Sequence, residues 1–136
     1  MKASLPNRTV LLVEDSDDDA FFFEHAFAQA ATDGQLIRVL HGGEAVDYLQ
    51  KASVPSRDLS QTHIVFLDLK MPVLNGFEVL KWIREHGISV EVLVLSGSDI
   101  DADMEMARAL GASEYLVKPI FAQDWRKRLV REELTK

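Results

Sequence analysis

Residues 64–76 decide the fold, and they read Ile64-Val65-Phe66-Leu67-Asp68-Leu69-Lys70-Met71-Pro72-Val73-Leu74-Asn75-Gly76. An apolar run of strand length ends at the carboxylate of Asp68, and the amphipathic pattern of a helix begins at Gly76. An uninterrupted apolar run indicates a strand buried on both faces, which is typical of parallel sheets. Because the carboxyl ends of parallel strands meet along one edge, where ligands bind, Asp68 is predicted to lie at a binding site.

The same unit of strand and helix recurs along the chain. Apolar runs of strand length lie at Val10–Val13, Leu36–Leu40, Ile64–Leu67, Val92–Leu95 and Tyr115–Val117. Helical patterns follow at about Asp17–Ala31, Gly43–Lys51, Gly76–His86, Asp101–Leu110 and Gln123–Leu134. Strands that alternate with helices are joined by right-handed crossovers into a parallel sheet covered on both faces. The sequence therefore predicts an α/β doubly wound fold of three layers, with one long surface loop at 52–62.

Charged residues follow three of the predicted strands. Glu14 and Asp15 come after the first strand, Asp68 after the third and Lys118 after the fifth. Three carboxylates and one ammonium group would therefore converge at one edge of the sheet. Since crowded carboxylates repel one another, we expect a divalent cation among them, with Lys118 adding further positive charge. The acidic run 17–19 favours the positive end of the first helix.

Length and composition limit the classes of function. The 136 residues are predicted to form one domain, 1–136, with a core of about 8–134. The 15 Lys and Arg against 22 Asp and Glu give a net charge of −7, which opposes binding to nucleic acids and to anionic membranes. The lack of cysteine fits a reducing compartment, and no apolar stretch approaches the roughly 20 residues of a membrane span. We expect a cytoplasmic protein whose partner is a protein or a small molecule.

Four segments together resemble the receiver domain of two-component response regulators. They are Leu11–Asp15, Phe66–Gly76, Leu95–Gly97 and Ala112–Pro119, in the order and at a spacing similar to those of that family. The resemblance covers about Val10 to Leu129. It implies a flavodoxin-like (βα)5 fold with strand order 2-1-3-4-5, whose switch point lies at the first and third strands. It also implies a phosphoprotein that works in two-component phosphorelay signalling.

The resemblance gives the charged residues separate roles. Asp68 resembles the phosphorylated aspartate, which accepts a phosphoryl group from the phosphohistidine of a histidine kinase and forms an acyl phosphate. Glu14 and Asp15 resemble the acidic pair that holds Mg²⁺. The implied direct ligands are Asp15, Asp68 and the backbone carbonyl of Lys70, with Glu14 acting through water.

Further residues carry roles that the resemblance implies. Lys118 is similar to the lysine that pairs with the acceptor carboxylate and then with the phosphoryl oxygens, and in the family its bond to Pro119 is cis. Ser96 resembles the hydroxyl residue that hydrogen-bonds the phosphoryl group. Tyr115 stands at the position of the aromatic whose ring moves inward as that hydroxyl moves. Ser96 and Tyr115 would therefore form a switch.

The implied partners are a sensor histidine kinase and either a downstream protein or a phosphotransfer domain. Loop 52–62 is similar to that of single-domain receivers associated with bacteriophytochrome kinases, some of which dimerise. A phytochrome-type kinase is therefore a candidate partner, and a homodimer a candidate assembly. Only enough chain for one helix follows Pro119, so any output function is expected to lie on another chain.

Two other functions remain open at this point. A hydrolase of the haloacid dehalogenase type would form its aspartyl-phosphate on Asp68, but such enzymes place a second acid two residues later, where this chain has Lys70. A nucleotide- or flavin-binding module would need a glycine-rich loop after the first strand, where Glu14 and Asp15 stand instead.

Overall fold

The computed structural model describes residues 8–30, 34–71, 74–97 and 101–119. In this part of the chain strands alternate with helices: β1 (Thr9–Val13), α1 (Asp17–Ala30), β2 (Gln35–Val39), α2 (Gly42–Ala52), β3 (His63–Asp68), α3 (Gly76–Glu85), β4 (Glu91–Ser96), α4 (Asp101–Ala109) and β5 (Glu114–Val117). Each end lies within one residue of the predicted one, and the predicted helix Gln123–Leu134 lies outside the described residues. Among the helices described, none is both long and apolar enough to cross a membrane.

The second strand ends one residue earlier than predicted. β2 stops at Val39, and Leu40 is 49% exposed. The backbone N–H of Leu40 donates to the carboxylate of Glu44 at 2.7 Å, and the imidazole of His41 accepts from the N–H of Glu44 at 3.2 Å. These bonds cap α2 and start it at Gly42, because each satisfies a backbone N–H at the helix entry.

The strands form one parallel sheet in the order β2-β1-β3-β4-β5. Val13 is paired with Leu67, and Asp68 with Leu95, so β1, β3 and β4 end at nearly the same level. The strand order reverses between β1 and β3, which opens a crevice at the carboxyl ends of these two strands. The predicted doubly wound topology is confirmed, and the residues that end β1 and β3 meet at this crevice.

Helices cover both faces of the sheet and give the predicted three layers. On one face, α1 packs Phe23 and Phe27 against Leu12 and Phe66, and the rings of Phe23 and Phe66 meet edge to face at 5.0 Å. On the other face, α2, α3 and α4 bury small and aliphatic side chains: Ala45, Leu49, Val79, Leu80, Ile83 and Ala107. Each large apolar side chain buried in this way contributes about 1.5–3 kcal/mol. The two clusters hold the strands in register and so fix the residues at their ends.

Helix α3 begins at a capping box next to the end of β3. The side chain of Asn75 accepts from the backbone N–H of Glu78 at 2.9 Å, and the Glu78 carboxylate accepts from the N–H of Asn75 at 2.9 Å. The N–H of Gly76 donates to the carbonyl of Leu69 at 3.0 Å. The first turn of α3 therefore lies directly against the backbone that carries Asp68.

Substitution Gly76→Ala is expected to destabilise the fold. A Cβ at this position would lie 2.5 Å from the carbonyl oxygen of Asp68 and 2.8 Å from the Cα of Leu69, and neither backbone atom can rotate away. Overpacking of this kind costs about 1–3 kcal/mol, which urea unfolding measures. Gly97→Ala is the matched control, since a Cβ at Gly97 meets nothing within 4 Å among the described residues. Equal free energies of unfolding in the two variants would contradict the importance of this contact.

Loop 52–62 is anchored near its end and is not wholly a surface excursion. Asp58 forms an isolated parallel bridge with Ser89, and the N–H of Leu59 donates to the carbonyl of Ser89 at 2.7 Å. The Leu59 side chain is 4% exposed and belongs to the cluster on the α2–α4 face of the sheet. The loop therefore adds one residue to the core, because its single leucine folds inward from a polar stretch.

His63 lies at the start of β3 between two hydroxyl groups. Its Nδ1 is 2.8 Å from the Oγ1 of Thr62, and its Nε2 is 3.1 Å from the hydroxyl of Tyr48. Burial lowers the pKa of His63 below its ordinary value of 6.5. The neutral imidazole is therefore the form that the fold favours.

The lowered pKa of His63 implies a pH-dependent stability. Below pH 6.5 the unfolded chain binds more protons at this residue than the folded chain does. The contribution of His63 is therefore complete above pH 6.5 and is lost as the pH falls through the folded-state pKa. When the pH is lowered from about 7.5 to about 5.5, the free energy of unfolding measured with urea should fall more in the wild type than in His63→Gln. His25→Gln, at an exposed histidine, should follow the wild type, and an identical pH dependence in His63→Gln would contradict the assignment.

Candidate functional site

Three carboxylates meet at the crevice between β1 and β3. Glu14 and Asp15 directly follow β1, and Asp68 is the last residue of β3. One carboxylate oxygen from each residue lies within 4.8 Å of the other two. Glu14 and Asp68 are only 1% and 6% exposed, whereas Asp15 is exposed. The predicted convergence is observed, and Asp15 connects the buried pair with solvent.

Lys118 follows β5 and places its ammonium group among these carboxylates. Its Nζ is 2.6 Å from Glu14 Oε1, 2.9 Å from Asp19 Oδ2 and 3.4 Å from Asp68 Oδ2. Because the Lys118 side chain is only 17% exposed, water screens these pairs less than it screens surface ion pairs. The backbone N–H of Lys118 donates to the carbonyl of Ser96 at 2.8 Å, which ties the lysine to the end of β4.

The pKa values of Glu14 and Lys118 are both raised, that of Glu14 mainly by burial and that of Lys118 by its carboxylate partners. Burial raises the pKa of Glu14 to about 7, against the effect of its hydrogen bond to Lys118, and the charge of Asp68 adds to the rise. Burial acts to lower the pKa of Lys118, but the hydrogen bonds to Glu14 and Asp19 outweigh it and hold that pKa above its ordinary value. Lys118 is therefore a fixed positive charge, and the cluster around it favours any further positive charge that enters.

The segment that carries Glu14 and Asp15 is held by β2 as well as by β1. The N–H of Glu14 donates to the carbonyl of Val39 at 3.1 Å, and the Nε of Arg38 donates to the carbonyl of Glu14 at 3.0 Å. The N–H of Ser16 donates to Glu14 Oε2 at 3.3 Å. Glu14 is thus fixed through its N–H, its carbonyl and its carboxylate.

The cluster suits a small divalent cation. Hard cations such as Mg²⁺ take oxygen ligands, and oxygens around one Mg²⁺ at roughly 2.1 Å lie no more than about 4.2 Å apart. The carboxylate oxygens of Glu14, Asp15 and Asp68, all within 4.8 Å of one another, are close to that arrangement. The N–H of Lys70 donates to Asp68 Oδ1 at 3.4 Å, while the role of the Lys70 carbonyl as a ligand stays a prediction.

The other predicted site residues lie in or beside β4 and β5. Ser96 ends β4, is 1% exposed and is paired with Val117. Tyr115 is partly buried in β5 and lines a hollow of about 240 Å³ beside α4. The peptide bond between Lys118 and Pro119 is cis. Ser96 therefore adjoins Lys118 at the sheet edge, whereas Tyr115 lies on the side of α4.

The sequence pattern does not identify Asp19 or Arg38 as site residues. The acidic start of α1 indicates only a favourable charge near the helix dipole, yet Asp19 reaches Lys118 at 2.9 Å. The available signal is its place in the first turn of α1, because that turn comes shortly after the end of β1. Arg38 could have been found only as a charge inside an otherwise apolar strand pattern.

The chain matches the response regulator receiver domain family over residues 10–130. The probable methanogenesis regulatory protein FilR2 of Methanothrix harundinacea (strain 6Ac) is 34% identical over 125 residues, which cover 90% of this chain and 79% of that protein. Other curated relatives that the chain matches are longer, and the chain spans just under half of their length, 45% in one and 49% in another.

Solved structures of response regulators share the fold. The Mn(2+)-bound form of response regulator Rcp1 is 27% identical with a TM-score of 0.69, over 93% of this chain and 91% of that one. The phosphorylated cyanobacterial phytochrome response regulator RcpA is 25% identical with a TM-score of 0.74, again over 93% and 91% of the two chains. Both likenesses extend over nearly the whole of this chain.

Proposed function

Because the chain belongs to the response regulator receiver domain family, we propose that it accepts a phosphoryl group on Asp68 from the phosphohistidine of a sensor histidine kinase, with Mg²⁺ as cofactor. The observation that carries this function is the placement of the Asp68 carboxylate. It is buried at the end of β3, lies 3.4 Å from the ammonium group of Lys118 and adjoins two further carboxylates. Phosphoryl transfer depends mainly on positioning and charge stabilisation, and this site offers both.

In the proposed step an oxygen of the Asp68 carboxylate attacks the phosphorus of the phosphohistidine. The new O–P bond makes an acyl phosphate, the N–P bond breaks, and its electron pair returns to the imidazole of the kinase. Lys118, charged and already 3.4 Å from the acceptor, would neutralise the phosphoryl oxygens. Ser96, at the neighbouring strand end, would donate its hydroxyl to one of them.

Three groups are proposed to hold Mg²⁺ directly: Asp15, Asp68 and the backbone carbonyl of Lys70. Glu14 is proposed to act through water. This indirect role is supported by its contacts, because one Glu14 oxygen is paired with Lys118 and the other accepts a backbone N–H. Bound Mg²⁺ supplies neutralisation of charge on the transferred group.

The acyl phosphate would add a charge of about −1.5 to −2 beside Ser96. We expect the Ser96 hydroxyl to move toward this charge and the ring of Tyr115 to move inward, which changes the surface formed by α4 and β5. The hollow that Tyr115 lines supports this, since it gives the ring space. The changed surface would signal to a downstream protein or present the phosphoryl group to a phosphotransfer domain.

The kinase is proposed to approach between α1 and Pro119. A cavity of about 200 Å³ there reaches Glu14 and Lys118, and Phe22, which is 43% exposed, forms part of its wall. The likeness to a phytochrome response regulator supports a phytochrome-type kinase as the donor. Residues 1–136 are proposed to act as one receiver domain in the cytoplasm, able to pair with a second copy, and the net charge of −7 opposes nucleic acid as a partner.

The aspartyl-phosphate hydrolase is not favoured. The family match is to receiver domains, and Lys70 stands two residues after Asp68, where haloacid dehalogenase-type enzymes place their second acid. Lysine offers no carboxyl group there that could protonate the leaving oxygen of an ester and then take a proton from the attacking water.

Incubation with acetyl phosphate and Mg²⁺ tests the proposed function. We expect one phosphoryl group per chain, stable in acid and labile in base, which mass spectrometry places on Asp68. Chelation of Mg²⁺ by EDTA should stop the incorporation. Sustained release of phosphate from unrelated phosphate esters would indicate a hydrolase instead, and modification of another residue would overturn the assignment of Asp68.

A further inference from the structure

We propose that Arg38 is a positioning residue, which holds the peptide between Glu14 and Asp15 in the orientation that a divalent cation requires. The inference rests on the proposed Mg²⁺ site. Arg38 lies on β2, where it is paired with Leu12 of β1 one residue before the strands end. Arg38 is thus close to Glu14 and Asp15, although it lies on the neighbouring strand.

Two hydrogen bonds join Arg38 to the segment that follows β1. Its Nε donates to the carbonyl of Glu14 at 3.0 Å, and its Nη1 donates to Asp17 Oδ1 at 3.0 Å. Glu14 and Asp17 lie on either side of Asp15 in the sequence. The guanidinium group therefore binds the chain both before and after Asp15, the exposed residue that is proposed to bind the metal. Since the Glu14 N–H is also bonded to the carbonyl of Val39 at 3.1 Å, the peptide that leads into Asp15 has little freedom to rotate. The orientation of that peptide sets the direction of the Asp15 side chain.

Stability alone does not explain an arginine at this position. Asp17 is 92% exposed, and an ion pair with so exposed a carboxylate contributes little. The Nη2 of Arg38 is buried and has no hydrogen-bond partner within the part of the chain that the structure describes, which costs free energy. What arginine adds is a planar fork that reaches two acceptors at a fixed angle, where lysine carries a single point charge.

A positioning role and a purely electrostatic role predict opposite changes in affinity for the cation. The positive charge of Arg38 repels a divalent cation, so removal of that charge alone would tighten Mg²⁺ binding. Loss of the two hydrogen bonds would instead free the Glu14–Asp15 peptide and weaken binding. Groups that orient metal ligands typically change metal affinity by about 10–100-fold, and we expect the lower end because Arg38 acts on the backbone.

Calorimetric titration of Mg²⁺ into the metal-free protein provides the test. The Kd is expected to rise about tenfold in Arg38→Met and also in Arg38→Lys, which keeps the charge but not the fork. Urea unfolding in EDTA establishes that both variants are folded, so that weaker binding is not a loss of native protein. An unchanged or lower Kd in Arg38→Met would overturn the positioning role.

A pair of surface variants tests the same role without touching Arg38. Asp17→Ala and Asp18→Ala each remove one exposed carboxylate from the first turn of α1. Among the described residues, it is the carboxylate of Asp17 that accepts from the Nη1 of Arg38. The Kd should therefore rise more in Asp17→Ala than in Asp18→Ala, and equal rises would count against Arg38. A wild-type protein that binds no Mg²⁺ would overturn the metal site itself, whereas wild-type binding with the same Kd in every variant would overturn the role of Arg38 alone.

Discussion

Asp68→Asn is expected to abolish phosphoryl incorporation while leaving the protein folded. The amide has nearly the shape of the carboxylate, but it offers no anionic oxygen to attack phosphorus. Asp68 is 6% exposed beside Glu14 and Asp15, so loss of its negative charge relieves repulsion, and Lys118 keeps its closer partners. The free energy of unfolding without metal is therefore not expected to fall. Incorporation from radiolabelled acetyl phosphate, together with urea unfolding, measures both quantities.

Asp58→Asn is the matched control for this experiment. It also removes one carboxylate, but from loop 52–62, where Asp58 accepts hydrogen bonds from the N–H and the hydroxyl of Ser60 at 3.1 and 2.6 Å. This variant should incorporate as much phosphate as the wild type. Incorporation by Asp68→Asn above the level of an EDTA-treated sample would reveal a second acceptor and would remove the role assigned to Asp68.

The edge of the sheet that carries the site was predictable from the apolar runs. In a sheet covered on both faces, a strand stays apolar for as long as helices cover it, and polar residues begin where the cover ends. The prediction that β3 ends at Leu67 is short by one residue, because Asp68 is still paired with Leu95 of β4. The difference has chemical meaning, since an acceptor that belongs to the strand has a side chain whose direction is fixed by the sheet.

The side-chain partners within the site were not predictable in the same way. Lys118 and Asp19 are 99 residues apart in the sequence, and Arg38 and Glu14 are 24 apart. Each pair depends on how closely α1 and β2 approach the strand ends, and an apolar pattern fixes only which face of an element is buried. Local rules assign Asp19 to the helix dipole, and they do not include the position of Lys118 just after β5, which decides its actual partner.

Lys118→Met is expected to slow phosphoryl transfer to Asp68 by about 10²-fold, the effect of removing one preorganised donor from a transition state in which charge develops. Methionine keeps an unbranched side chain of similar length, so the change is chiefly the loss of the ammonium group. Lys81→Met, at an exposed position of α3, removes the same charge and should leave the rate unchanged. Single-turnover incorporation from acetyl phosphate at saturating Mg²⁺ gives the rates.

The same substitution is also expected to lower stability. Glu14 is 1% exposed and its Oε1 loses its 2.6 Å partner, and a buried polar atom left unpaired costs about 1–3 kcal/mol. Burial already raises the pKa of Glu14 to about 7, so in this variant the Glu14 carboxyl group can take up a proton, which limits the loss of stability. Urea unfolding of the metal-free protein measures this loss.

A second substitution separates the effect of Lys118 on the rate from its effect on stability. Glu14→Gln removes the buried charge that Lys118 offsets, so the stability lost in Lys118→Met should largely return in the double variant. The rate should not return, because the phosphoryl oxygens still lack their cation. We therefore expect Glu14→Gln and the double variant to differ by about 10²-fold in rate while unfolding with similar free energies. Equal rates in these two proteins would mean that Lys118 serves only to neutralise Glu14, and its role in phosphoryl transfer would have to be given up.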